Sequence, residues 1–243
     1  MSFIWNTLIY NPIFNALVWL YNVIPGQDFG VAIIVLTLLL RFALYPFTKK
    51  TLASQKAMQT IQPKVKALQE EFKDQKEILA QKLMELYKAE KVNPFSSCAP
   101  LLIQMPIIIA VYQVFRHGLV SQGFERLYPF VANPGHIQTM AFFGTLDLSS
   151  RSIVLAIAAG VAQFFQSKMM LSTKPATVND KPVDGSQDEK MLAMMNKQMT
   201  YMMPAMTVFI GLSLPAGLSL YWFVSTAFML IQQIFLFRNK TQA

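Results

Sequence analysis

Hydrophobic residues fall along this chain in long blocks, and the blocks obey two different rules. Residues 29–47 (FGVAIIVLTLLLRFALYPF), 95–115, 152–171 and 201–237 are nearly continuous apolar runs. Such runs predict helices that are apolar all round, as in a membrane span. The last run is divided at Leu214-Pro215-Ala216-Gly217. It predicts a short span over 201–214 and a full one over 218–237, against the roughly 20 residues that crossing a bilayer needs.

Residues 48–93 follow the other rule. Apolar side chains recur at Met58, Ile61, Val65, Leu68 and Phe72 in steps of three and four, and again at Leu79, Leu83 and Leu86. That period predicts two amphipathic helices paired as an antiparallel hairpin. Asp74 followed by Glu77 reads as an N-cap with its N3 partner, which puts the turn near Lys73-Asp74. Pro63 is expected to start or kink the first of the two helices.

Ahead of these blocks, the apolar stretch from Ile4 to Ile24 is interrupted by Asn6, Asn11, Pro12, Asn15 and Asn22, and carries Trp5, Trp19 and Tyr21. These aromatics suit a membrane interface. Residues 1–28 are therefore expected outside the cytoplasm, with an amphipathic helix near 13–24 lying on the surface. The alternative is an additional span, which would move the N-terminus across. Pro25-Gly26 breaks the chain before residue 29. No basic n-region precedes the apolar stretch, so a cleaved signal peptide is not expected. Residues 117–151 form a mostly polar loop. Residues 172–200 begin as a flexible linker by composition. They lead into Met191, Met194, Met195, Met199, Met202, Met203 and Met206, which suit either an adaptable apolar surface or ordinary packing at a helix end.

Composition agrees with spans: 53% of the 243 residues are hydrophobic and 14% charged, where soluble domains carry roughly 25% charge. Charge also sets the orientation. Residues 48–93 hold ten lysines and 167–200 hold five, whereas 117–151 hold two arginines. The positive-inside rule then places the hairpin, the 172–200 loop and the 238–243 tail in the cytoplasm, with the N-terminus outside. The expected fold class is an all-α polytopic membrane protein: five transmembrane helices, a cytoplasmic antiparallel helical hairpin and an N-terminal interfacial helix. A net charge of +8 points to orientation and contact with anionic lipid, not to nucleic acid.

One charge is out of place. Arg41 lies inside the first span, roughly 12 Å short of the basic end at Lys49 and Lys50. Arginine at mid-membrane depth costs about 2.5–3.5 kcal/mol and usually faces a polar cavity or a partner. It could instead snorkel to the nearer surface. No other apolar run carries an acid, which favours a water-filled cavity. Thr37, Gln104, Gln163, Gln166, Ser225, Gln232 and Gln233 are further polar residues within the runs. Singly, each is helix–helix glue worth about 0.6 kcal/mol; together with Arg41 they suggest a shared hydrophilic groove. Catalytic chemistry is missing. There is no G-x-S-x-G elbow, P-loop, dinucleotide fingerprint or H-E-x-x-H. His117, His136 and the lone Cys98 make a poor metal site, so no enzyme activity, metal or cofactor is expected. No internal repeat supports an inverted-repeat transporter.

Three stretches, TLLLRFALYPFTKK, MELYKAEKVNPFSSCAPLLIQMPIIIAVY and LPAGLSLYWFVSTAFMLIQQ, resemble the YidC/Oxa/Alb family of membrane protein insertases, in the same order and over residues 29–237. The resemblance implies a five-helix core with a cytoplasmic hairpin and a groove open to cytoplasm and lipid but closed outward. It implies that Arg41 is the groove arginine, that Gln166 and Trp222 line the same groove, and that Gln104, Gln163, Gln233 and Thr37 are further members. It implies ATP-independent insertion and chaperoning of nascent membrane proteins with acidic or hydrophilic outer tails in the bacterial inner membrane. The Sec translocon, the ribosome and anionic lipids are the implied partners. Lys64, Lys66, Lys73 and Lys76 would capture substrate on the hairpin. The chain departs from some members in showing no large periplasmic domain, lipoprotein signal or long basic tail, which weakens the expectation of ribosome tethering. The rival reading is a small-solute transporter or channel with Arg41 as its anion site.

Overall fold

The computed structural model describes residues 2–93, 99–118, 121–142, 144–171 and 198–238. Several sequence candidates lie outside them: Pro94, Cys98, the linker from 172 with Met191, Met194 and Met195, and the tail with Lys240.

The N-terminal segment is helical almost from its start, as α1 (Ser2–Trp5), a π turn (Asn6–Tyr10) and α2 (Asn11–Val23). Pro25 and Gly26 then turn the chain, Gly26 taking a left-handed φ of 78° that favours glycine. Next, α3 (Phe29–Ala43) is capped by Asp28, whose Oδ1 accepts from the Val31 amide at 3.0 Å. It ends earlier than the apolar run. The chain breaks at Leu44 and turns by 65° into α4 (Tyr45–Glu71). Pro46 occupies the first turn of α4, where its missing amide costs nothing. Residues 45–47 thus open α4, the helix that continues into the hairpin.

The hairpin consists of α4 and α5 (Lys76–Ala89), packed through Ile61, Val65 and Val92 against Met58, Leu83, Leu86 and Tyr87. Two local expectations are corrected. Pro63 does not start a helix: it lies inside α4, which has already run from Tyr45. Asp74 is not the cap. The Gln75 amide closes a turn onto the Phe72 carbonyl at 3.0 Å, which delays α5 by one residue and leaves Gln75 at the N-cap position without a side-chain bond.

The remaining helices are α6 (Ala99–Gln113), continued by a π turn to Gly118; α7 (Ile153–Leu171); α8 (Met203–Ser213), preceded by a π turn from Gln198; and α9 (Ala216–Arg238). α9 packs along α7 and α3, and α7 along α8. Gly160 permits the close approach of α7 to α8, because a Cβ there would clash with Val208 Cγ2. Among the described residues, Ala216–Leu236 is the one helix long and apolar enough to cross a membrane alone; the bent α3–α4 pair passes only when joined. The 15 residues of α3 rise only about 22 Å, against a hydrocarbon thickness of about 30 Å.

The main core sits at the end of the bundle where α3 and α9 begin. Phe14, Leu17 and Tyr21 of α2, Phe29 and Ile33 of α3, Val114 and Phe115 beyond α6, and Leu218 of α9 meet there. The Phe29 ring lies edge-on to Tyr21 and Phe115, with centroids at 6.1 and 5.6 Å. The 117–151 loop folds over this core and contributes Phe124, Val131, Ile137 and Leu148. A short antiparallel pair, β1 (Met140–Ala141) and β2 (Leu146–Asp147), closes it. The N-terminal helix holds the loop by side-chain bonds to its backbone. Asn15 donates to the Arg126 carbonyl at 3.1 Å and accepts from the Tyr128 amide. Asn22 donates to Ala132, and Tyr21 accepts from Gln138. The first amides of α9, at Ala216 and Gly217, donate to the carbonyls of Ser150 and Leu148 at 2.7 and 3.0 Å.

Candidate functional site

Ile33, Thr37 and Arg41 recur every four residues, so they share one face of α3. That face turns into the bundle: Ile33 and Thr37 are buried, and Arg41 is 7% exposed. The Thr37 hydroxyl donates to the Ile33 carbonyl of its own helix at 2.6 Å. Its hydrogen is therefore spent on the backbone, and it forms a wall above Arg41. Tyr221 and Ser225, four apart on α9, present one face toward the same place.

The Arg41 guanidinium is held from two sides. Its Nε donates to Ser225 Oγ at 2.9 Å, and Nη2 reaches the same oxygen. Nη2 also donates to Gln104 Oε1 at 2.7 Å. Gln104 Nε2 in turn donates to the Tyr221 hydroxyl at 2.8 Å. Helices α3, α6 and α9 thus meet in a chain of four polar side chains. The side chain turns inward and does not snorkel. No carboxylate joins it: the ion pairs among the described residues, Lys64–Glu90 and Lys82–Glu85, both lie in the hairpin. A buried cation ordinarily demands an opposite charge or an excellent hydrogen-bond shell. Here the partners are neutral, and the guanidinium keeps donors to spare.

The other candidates stand apart from this chain. Gln166 is buried on α7, while Gln163 on α7 and Trp222 on α9 are half-buried. None of the three makes a hydrogen bond to Arg41 or Gln104. Gln233 is fully buried farther along α9, and its amide N and O both lack partners among the described residues, as do those of the neighbouring Gln232. On the hairpin, Lys64, Lys66, Lys73 and Lys76 are exposed. Lys64 is already paired with Glu90.

One member of the site, Tyr221, escapes a reading by residue type, being unremarkable within the LSLYWFV stretch, whereas Ser225 is already among the polar residues of the apolar runs. The usable signal is their spacing of four on a helix that must pack against the one bearing Arg41.

Comparison with known proteins now settles the family. The model of the family described as 60Kd inner membrane protein matches residues 19–243. This chain belongs to that family. Curated relatives named membrane protein insertase YidC include one from Psychromonas ingrahamii, 34% identical over 97% of this chain and 36% of the relative. The relative from Aeromonas hydrophila subsp. hydrophila is 35% identical over 91% of this chain and 35% of its own length. A third, from Aeromonas salmonicida, is 34% identical over the same shares. The chain therefore spans about a third of the length of these members of the 60Kd inner membrane protein family.

Proposed function

We propose that this chain is a membrane protein insertase of the bacterial inner membrane, working without ATP hydrolysis, with Arg41 at the head of a hydrophilic groove. The observation that carries the reading is a buried guanidinium held, among the described residues, by neutral partners only. A site of this kind attracts an anion, and the attraction is stronger in a low-dielectric groove than in water. The acidic or hydrophilic outer tail of a nascent membrane protein supplies that anion.

In this reading α3, α6, α7, α8 and α9 are the five spans. The N-terminus lies outside, and the hairpin, the 172–200 loop and the C-terminus lie in the cytoplasm. Lysines of the hairpin meet the substrate and anionic headgroups first. Polar groups at Gln104, Gln163, Gln166, Trp222 and Gln233 replace part of the tail's hydration and lower the cost of burying it. Helices shorter than the bilayer is thick favour local thinning, which shortens the path. The substrate's apolar segment then partitions into lipid, and its burial drives the step. The Sec translocon and the ribosome enter only as candidate partners. The hydrogen-bonded loop over the outer end of the bundle supports a path closed on that side, which a solute channel could not use.

The test is insertion into protein-free liposomes. Wild type, Arg41→Lys and Arg41→Ala are reconstituted, and protease protection of a single-span substrate with an acidic outer tail is followed. The expected result is insertion by wild type and the lysine variant and its loss in the alanine variant. Equal insertion by all three would remove Arg41 from the mechanism. Saturable anion flux in place of insertion would establish the transporter reading.

A further inference from the structure

The Arg41 cluster has an enclosed side and an open side. Ser225 and Tyr221 are 1% and 3% exposed, deep against α3. Gln104 is only half-buried, and Met105 beside it on α6 is 45% exposed. Of the two acceptors on the guanidinium, Gln104 therefore occupies the approach side. It is also set in one orientation. Its Nε2 donates to the Tyr221 hydroxyl, so Oε1 is aimed at Arg41 Nη2.

A glutamine side-chain carbonyl in that position has the shape of one half of a carboxylate, without the charge. We infer that Gln104 is an internal stand-in for the substrate carboxylate, and that it sets the preference of the Arg41 site for acidic over neutral tails. The inference rests on the insertase reading above. Its physical basis is a competition at Nη2. An incoming aspartate or glutamate replaces a neutral acceptor with an ionised one, and such bonds are roughly twice as strong. A neutral tail offers nothing better than the amide already present, so it does not displace Gln104. Without the stand-in, a desolvated guanidinium would be left with Ser225 alone, a costly resting state. Gln104 thus lowers the cost of keeping a cation ready while remaining the weaker of two competing ligands. It is a specificity-determining residue. The displaced amide turns toward the open side of α6, where water or lipid headgroups can meet it.

The experiment uses the full chain in proteoliposomes and two single-span substrates. One has an aspartate-rich outer tail, and the other has asparagine in place of every aspartate. Gln104→Glu installs a tethered carboxylate of nearly the same shape. It should lower the ratio of aspartate-tail to asparagine-tail insertion by about tenfold. An unchanged thermal midpoint in detergent reports that the variant is folded. Gln104→Leu removes the stand-in without adding a charge and should insert the aspartate tail more readily than Gln104→Glu. The proposal is overturned if Gln104→Glu handles the aspartate tail like wild type. It is equally overturned if Gln104→Glu loses both tails alike, or if Gln104→Leu loses the aspartate tail as Gln104→Glu does, since either would mark a packing role. A wild type that inserts both tails equally would defeat the electrostatic reading itself, and the stand-in with it. A wild type that prefers the aspartate tail, with a Gln104→Glu variant that keeps the preference in full, would defeat the stand-in alone.

Discussion

The two ends of the bundle handle polar groups in opposite ways. At the end where α3 and α9 begin, most backbone and side-chain groups find partners, Asn11 Oδ1 being an exception. Asn15 makes bonds through both its amide atoms, the Asp28 carboxylate accepts from the Val31 and Phe142 amides, and the first amides of α9 meet loop carbonyls. Aromatic rings fill the space between. Farther along the same helices a cation is shared among neutral acceptors, and Gln232 and Gln233 are buried with their amides unpaired. Buried polar groups in folded proteins are nearly always satisfied. Within the bundle, among the described residues, that neglect falls on Gln232 and Gln233, with Asn11 Oδ1 the exception toward the other end, a contrast that fits the proposed insertase, with one end shut and the other receiving something polar.

Breaking the closed end should cost most. Phe29→Ala removes a ring that is fully buried between Tyr21 and Phe115. It should destabilise by about 3–5 kcal/mol, read as a lower midpoint of thermal unfolding in detergent. Asn15→Leu comes next. It strands the Arg126 carbonyl and the Tyr128 amide, at about 1–3 kcal/mol, and should expose the 117–151 loop to limited proteolysis. At the other end the sign changes. Gln233→Leu removes two unpaired buried atoms and should leave the thermal midpoint unchanged or raise it by the equivalent of up to about 1 kcal/mol, while slowing insertion. A fall in stability as large as that of Asn15→Leu would erase the contrast between the ends.

The smallest effect concerns pH. The hydroxyl and amide of Ser149, with Thr139, hold the Asp147 carboxyl below the usual carboxylate range. Its folded-state pKa is therefore depressed, so its contribution is complete above the unfolded value and disappears as pH falls through the folded one. Asp147→Asn should flatten the acid limb of the stability profile slightly, with a small loss near neutrality that vanishes as pH falls through the folded-state value; the loss is small because the group is largely solvent-exposed. A difference that persists unchanged at low pH would show that the carboxylate acts through something other than these bonds.

Much of the architecture was legible along the chain. The switch from a continuous apolar pattern to steps of three and four separates α3 from the hairpin, and the proline-glycine pairs mark where helices stop. Boundaries were less legible. The apolar run continues through Phe47, but Pro46 favours a helix start, so the break falls at Leu44. The Asp74 cap failed because a turn closed by Gln75 onto Phe72 outcompetes it. The N-terminal segment was readable as amphipathic. Its asparagines, however, interrupt the apolar pattern for a reason that is not local: Asn15 and Asn22 bond to a loop more than 100 residues away in sequence.

The sequence by itself determined the class of protein, the order of its helices and the anomaly of Arg41. Hydrophobic period and the cost of burying charge act over one or two turns of chain, so both can be read from neighbours. Only the tertiary structure decided what answers that charge. Ser225 lies 184 residues from Arg41 and Gln104 lies 63 away. No local rule selects those two from the other hydroxyls and amides in the apolar helices. Their choice follows from which face of α9 and α6 is left pointing at α3 once the large side chains have packed.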